Sequence, residues 1–235
     1  MIIYKDDIEL LNCNKEKLNV ALIDFNDYQN STEKLVKQDS LFFNDVVVYN
    51  TGAYFGYNTT LKFYTTKSKY RFVVDAIYNG NKIKFPKEKG FREFFVDGNL
   101  KFEKITDYEV VFTVPIYLKA GLYSEEVVIK KISSLNDSLV FTNKHSFYAE
   151  PTYTIKGSGQ LVFSVNDEIN VLENSQDGYI VYTKQGKQNV VDLSGNLKNI
   201  TSRYNGNFPI FKVGENKVVL LKGESLTVDV RWRDR

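Results

Sequence analysis

The sequence predicts a mainly β protein, with an α+β N-terminal domain and a purely β C-terminal domain. Three observations carry this reading. Short apolar or alternating runs recur along the chain, separated by Gly, Asn and Asp turns. Phe (17) and Tyr (16) are abundant, which favours strands. One convincing window has the spacing of an amphipathic helix, and it lies in the first half.

The elements follow in order. Met1 to Tyr4 and Ile8 to Leu11 read as short strands around a Lys5-Asp6-Asp7 turn, and Asn19 to Phe25 as a third. Asp27 to Ser40 is polar and aperiodic, either a loop or a strand pair extending from a core. Leu41 to Tyr49 is a dense β run, Asn50 to Tyr57 a Gly and aromatic turn, and Thr59 to Thr65 a strand. The helix is expected over Ser68 to Asn79. Ser68 is a good N-cap, because its hydroxyl can accept from an orphan amide. Tyr70, Val73, Val74 and Ile77 form one stripe, and Gly80 stands where a left-handed C′ residue is expected. Strands follow at Lys82 to Phe85, Phe91 to Val96, Leu100 to Ile105 (with a bulge) and Tyr108 to Tyr117.

A boundary is expected at Ala120-Gly121, giving domains 1–121 and 122–235. Beyond it, turns such as Asn136-Asp137, Gly157-Ser158-Gly159, Asn166-Asp167 and Gln185-Gly186 recur at roughly ten-residue spacing, the pattern of an all-β sandwich. The C-terminal stretch is the clearest. Leu226, Val228, Val230 and Trp232 alternate with Thr227, Asp229, Arg231 and Arg233, so the first four are expected to form structural core and the second four to face away. With turns at Val213 to Asn216 and Lys222 to Ser225, the chain is expected to end in a β-hairpin carrying the only Trp on its inner face.

The residue inventory bears on function. Lys plus Arg is 31 and Asp plus Glu is 29, a formal net charge of +2, which gives no reason to propose a nucleic-acid or membrane-surface partner. The single Cys13 excludes an internal disulfide framework, and it reads as a small buried hydrophobe. Lys5, Asp6, Asp7 and Glu9 are unlike a signal peptide, and no apolar run approaches the ~20 residues of a membrane helix. Any Ser-His-Asp triad must use His145, the only His; no Gly-x-Ser-x-Gly stands in the chain, and His145 reads as a turn or surface residue. Cys13 and His145 are too few for a zinc site. The chain is therefore read as not an enzyme, with no catalytic, cofactor or metal residues. Tyr54, Phe55 and Tyr57 cluster in one stretch and Phe147 stands beside Tyr148 in another. Such aromatics either pack in a core or subunit interface or stack on sugars.

The C-terminal half also carries a resemblance. Phe208-Pro209, Val213-Gly214-Glu215-Asn216, a strand, a Gly turn and a last strand ending in Arg resemble the C-terminal signature of siphophage distal tail proteins, often called Dit. Asn143, Pro151, the Thr154-Ile155-Lys156-Gly157-Ser158-Gly159 run and Gly178-Tyr179-Ile180 resemble the opening of that family's galectin-like domain. The resemblance covers about residues 143–235 and is looser before them. The Gly-rich opening of many members is absent, as is the long insertion that holds a carbohydrate-binding module in longer relatives. The resemblance implies a virion structural protein of the phage tail tip, made in the host cytoplasm. It implies a homo-hexamer whose N-terminal β-sandwich-like domain forms a ring, with Tyr54, Phe55 and Tyr57 as candidate interface residues. Its implied partners are the tail tube protein, the tail-associated hub or lysin protein and receptor-binding proteins of the baseplate. The alternative is a lectin-like, carbohydrate-binding β-sandwich.

Overall fold

Strict alternation shapes the long central strands of the N-terminal half. Its strands are β1 (Ile2–Lys5), β2 (Ile8–Asn12), β3 (Ala21–Phe25), β4 (Thr32–Asp39), β5 (Val46–Phe55), β6 (Tyr57–Thr66), β7 (Lys82–Lys84), β8 (Gly90–Val96), β9 (Lys101–Ile105) and β10 (Glu109–Leu118), and its helix is α1 (Tyr70–Asn79). The computed structural model describes residues 1–13, 21–25, 32–39, 46–86, 88–193 and 200–234, and divides them into two units, Met1–Leu122 and Tyr123–Asp234. In β10, Val110, Phe112, Val114, Ile116 and Leu118 are all buried, every second residue. The strand pairs with β6 along its whole length, so Phe112 lies opposite Phe63 with ring centroids 5.4 Å apart. On its other side β10 meets β9 through a register shift at Val111/Phe112, and β8 at Ile116 to Leu118. From β8 the pairing continues to β7, β1 and β2.

Three expectations change here. The helix begins at Tyr70, with Lys69 at the cap position and no side-chain cap. The Ser68 hydroxyl sits 3.2 Å from that of Thr66, so it is spent on a neighbour instead of on the helix amides. Val73, Ala76 and Ile77 form the buried stripe, with Tyr70 and Val74 packed at its flanks, and the helix lies on β1, β2 and β8. Gly80 is extended, φ −72°, not left-handed. Space demands the glycine, since a Cβ there would run into the Ile3 side chain and stand 2.8 Å from the Ala76 carbonyl. Finally, Asn50 to Tyr57 is not a turn. Strand β5 runs through Phe55 and β6 starts at Tyr57, with Gly56 alone between them; a Cβ on Gly56 would collide with the Leu118 carbonyl. The polar stretch contains a strand: β4 pairs antiparallel with β5 in a two-stranded ribbon, which among the described residues joins no other strand. Residues 27–31 and 40–45 of the expected segments lie outside the described residues.

The second unit is a sandwich. Its strands are β11 (Leu122–Ile132), β12 (Ser138–Asn143), β13 (Thr152–Lys156), β14 (Gly159–Val165), β15 (Glu168–Ser175), β16 (Gly178–Tyr182), β17 (Asn189–Asp192), β18 (Tyr204–Asn205), β19 (Gly214–Lys222) and β20 (Ser225–Asp234). One sheet has the order β17-β16-β13-β20-β11, the other β12-β19-β14-β15-β18. Both supply the core: Tyr153, Ile155, Val181, Leu226, Val228 and Val230 from the first, Phe141, Phe163, Leu172, Val218 and Leu220 from the second.

The expected terminal hairpin does not form. Strands β19 and β20 belong to different sheets; β19 pairs with β12 and β14, and β20 pairs with β13. The turn at Gly223, φ +146°, carries the chain across the edge of the sandwich. Both strands thereby point their apolar faces into one core, which buries more surface than a ribbon with one face wet. The expected turn at Val213 to Asn216 is also shorter than it reads, because β19 begins at Gly214.

Candidate functional site

Leu226, Val228 and Val230 are fully buried, while Trp232 is partly buried at the margin of the same core, 6.2 Å from the Phe211 ring. Tyr57 packs against the core of the first unit, opposite Leu118 on β10. Tyr54 and Phe55 pair through their backbones with Glu33 and Thr32, and their side chains lie outside the described residues.

The main departure is Arg233. By parity it points away from the Leu226-Val228-Val230 face, yet it is only 5 % exposed. Rings cover that side. The guanidinium carbon lies 4.4 Å from the Tyr148 ring centre, 4.5 Å from Phe147 and 5.2 Å from Tyr123. Its Nη1 donates to the Glu150 carboxylate at 3.0 Å and to the Tyr123 hydroxyl at 2.9 Å, and its Nε to the Tyr148 carbonyl at 3.1 Å. Burial pulls the Arg233 pKa down, but Tyr123 and Glu150 outweigh it, and the net shift is upward. The pair fastens the last strand to the loop that precedes β13.

His145 stands next to this clamp. Its Nδ1 is 2.8 Å from the Asp234 carboxylate, and its ring stacks near Trp232 at 6.1 Å. The Ser146 amide and hydroxyl donate to the other oxygen of Asp234, at 3.1 and 3.4 Å. Serine and histidine therefore both turn to the carboxylate, whereas in a triad the serine hydroxyl is bonded to the imidazole and the imidazole to the carboxylate. Burial pushes the Asp234 carboxyl up, but the bonds from His145 and Ser146 more than offset it, so its pKa falls below the usual carboxylate value. The Asn143 amide shapes the loop, accepting from the His145 N–H at 3.0 Å and donating to the Phe147 carbonyl at 2.8 Å.

Beside the clamp, four loops of the second unit surround a cleft of about 410 Å³. Tyr148 and Glu150 come from the β12–β13 loop, Asn166 from the β14–β15 turn, Gln185 and Gln188 from the β16–β17 loop, and Asn207 to Ile210 from the segment before β19. Two buried asparagines hold these loops. Asn216 accepts from the Lys212 N–H at 2.8 Å and from the Asn166 amide at 3.0 Å, and donates back to the Lys212 and Gly214 carbonyls. Asn170 accepts from the Tyr204 hydroxyl at 2.6 Å, which itself accepts from the Phe208 N–H at 3.2 Å. Phe208 has φ +49°, a strained backbone for a bulky residue. Asn170 and the Glu150–Arg233 pair carry no sequence signal of these roles; Asn216 stood inside a recognisable turn motif without a role attached to it.

Burial raises the Tyr204 phenol to about 12, the nearby Glu168 charge adding and the Phe208 N–H opposing. The fold thus favours the protonated phenol over the unfolded chain, where the pKa is about 10. That stability is complete below pH of about 10 and is lost as pH rises through about 12. Denaturant midpoints measured from pH 9 to 12 should fall more steeply in the native protein than in Tyr204→Phe; parallel curves would refute the assignment.

No protein-family model matches the sequence, and no curated protein matches it. A solved structure does. The crystal structure of the SPP1 Dit protein, described as a paradigm of the hub adsorption apparatus in Gram-positive infecting phages, aligns with 100% of this chain and 98% of its own, at TM-score 0.65 and 9% sequence identity. The alignment covers residues of each unit, and at 9% identity it rests on backbone geometry. The chain has the fold of the Dit distal tail protein over its full length.

Proposed function

We propose that this protein is a structural component of a siphophage tail tip, a distal tail hub that joins the tail tube to the baseplate as a homo-hexameric ring. The observation that carries the reading is the full-length likeness to a hub protein. The unit formed by 1–121 makes the ring in this reading, and 122–235 hangs outside it. A six-fold ring needs two different surfaces on each copy that close head to tail. The first unit offers contact area: Phe72, Phe95, Phe102, Ile105 and Tyr108 are all exposed there. Tyr54, Phe55 and Tyr57 are proposed as part of the contact. The partners are the tail tube protein, a tail-associated hub or lysin protein and receptor-binding proteins. The role is mechanical and not enzymatic, which agrees with Ser146 and His145 both being bound to Asp234.

Mass photometry and negative-stain microscopy of the full chain test the reading. The expected species has six times the 27.1 kDa chain mass and shows a six-fold ring with a central hole. A monomer across the micromolar range, or a closed dimer, would overturn it.

A further inference from the structure

We propose that Lys130 guards the open edge of the β12-β19-β14-β15-β18 sheet and keeps β12 from pairing with a second copy of the chain. The proposal goes beyond the hub reading and stands or falls without it.

The sequence of β12 calls for a guard. Ser138-Leu139-Val140-Phe141-Thr142-Asn143 has no charge, no Gly and no Pro, and Val, Phe and Thr favour strands. That is the composition of a segment that pairs with copies of itself. It also lies at a border. Among the described residues, β12 pairs with β19 alone. The opposite border is β18, which is two residues long and too short to template another strand. β12 has six residues, so length does not protect it.

Hydrogen-bond direction shows which groups are open. The Lys217 N–H donates to the Asn166 side chain at 2.9 Å, and the Lys217 carbonyl accepts from the Asn166 N–H at 2.8 Å. Lys217 therefore turns both backbone groups away from β12. Val140 stands opposite Lys217, so the two form a non-hydrogen-bonded pair, and Val140 turns its own N–H and carbonyl out at the border. Alternation gives Ser138 and Thr142 the same orientation.

Lys130 closes this border. Its Nζ donates to the Val140 carbonyl at 2.7 Å and lies 4.7 Å from the centre of the Phe141 ring. On β11 it stands between Val128, packed on the core, and the buried Ile132, so the strand carries a charge on its inward side. Among the described residues no carboxylate pairs with it. An incoming strand would need its own N–H at the Val140 carbonyl, where the ammonium already sits. It would also cover that ammonium with a second backbone, leaving a carbonyl and a ring face as its partners. A charge left so poorly compensated is costly to take out of water. An inward-pointing charge beside an edge strand is one way in which β proteins avoid edge-to-edge joining.

Sedimentation velocity on the full-length protein tests this, with thermal unfolding as the second readout. Lys130→Met keeps an unbranched stem and removes the charge. It is expected to form species larger than those of the wild-type chain, whatever the wild-type stoichiometry, and more of them as concentration rises. The onset concentration should fall by about tenfold or more, because a stranded charge is worth at least that factor in association. The thermal midpoint should not fall, since Lys130 is exposed. Lys130→Arg keeps a charge and should associate no more than the wild type. Lys130→Met with Val140→Lys places a new charge on the border itself, at a position 42% exposed, and should abolish the extra association. Unchanged association of Lys130→Met would overturn the proposal. So would association that follows a fall in thermal midpoint, which would make Lys130 a support of the fold. Association that Lys130→Arg shares, or that Val140→Lys leaves intact, would place the contact elsewhere and overturn it as well.

Discussion

Glu150→Ala is expected to destabilise the 123–234 unit by about 3–5 kcal/mol, the usual cost of leaving one partner of a buried ion pair uncompensated. Both side chains are 6% exposed, so water cannot replace the lost carboxylate. Arg233 would keep its charge inside a cage of Tyr123, Phe147 and Tyr148, with only the Tyr123 hydroxyl and the Tyr148 carbonyl as partners. The ring faces attract a cation, but their contribution of about 0.5–2 kcal/mol cannot substitute for a carboxylate. A second variant separates charge from packing. Glu150→Ala with Arg233→Met removes both charges, and it should recover most of the loss. Urea unfolding of the two variants reads the difference directly. If the double variant is no more stable than Glu150→Ala, the cost belongs to the packing of the cage and not to the stranded charge.

Tyr153→Ala is expected to cost about 3–5 kcal/mol in the same unit, the range for truncating a large buried aromatic. Tyr153 is fully buried and lies at the centre of the sandwich, 5.2 Å from the Phe163 ring and 6.3 Å from that of Phe211. It also donates its hydroxyl to the Pro209 carbonyl at 3.2 Å, which ties the core to the segment lining the cleft. Tyr153→Phe separates the two contributions. It keeps the ring and removes one buried hydrogen bond, so about 1–2 kcal/mol should be lost. Calorimetry on both variants checks the order, and equal costs would mean that the hydroxyl, not the ring, holds the site together.

Much of the architecture was legible in the sequence. The alternation of Leu226, Val228 and Val230 coincides with a buried face, because an amphipathic strand has only two sides and one must leave water; it ends at Trp232, which is only partly buried, and at Arg233, which is buried from the other side. Asn136 and Asn166 stand at turns with positive φ, where a short polar side chain tolerates the left-handed region. The helix stripe of Val73 and Ile77 was visible as spacing, while its start was displaced by the local Thr66–Ser68 contact. Two of the cleft loops, at Asn166-Asp167 and Gln185-Gly186, could be recognised as turns, but nothing in their order brings Tyr148, Asn166, Gln185 and Asn207 to one place.

The sequence by itself determined the class of the protein. Period-two patterning and regular turns made it a β protein with one helix in its first half, since these signals are local and each residue reports its own side of the strand. The tertiary structure decided which strand meets which. Val218 and Leu220 on β19 and Val228 and Val230 on β20 look like one hairpin, and they face each other from opposite sheets because pairing is chosen among distant partners by total burial. It also decided the fate of Arg233. A charge on the polar side of an alternating strand, followed by Asp234, reads as solvent-facing, and only the arrival of Tyr123, Tyr148 and Glu150, up to 110 positions away, turns that position into an interior.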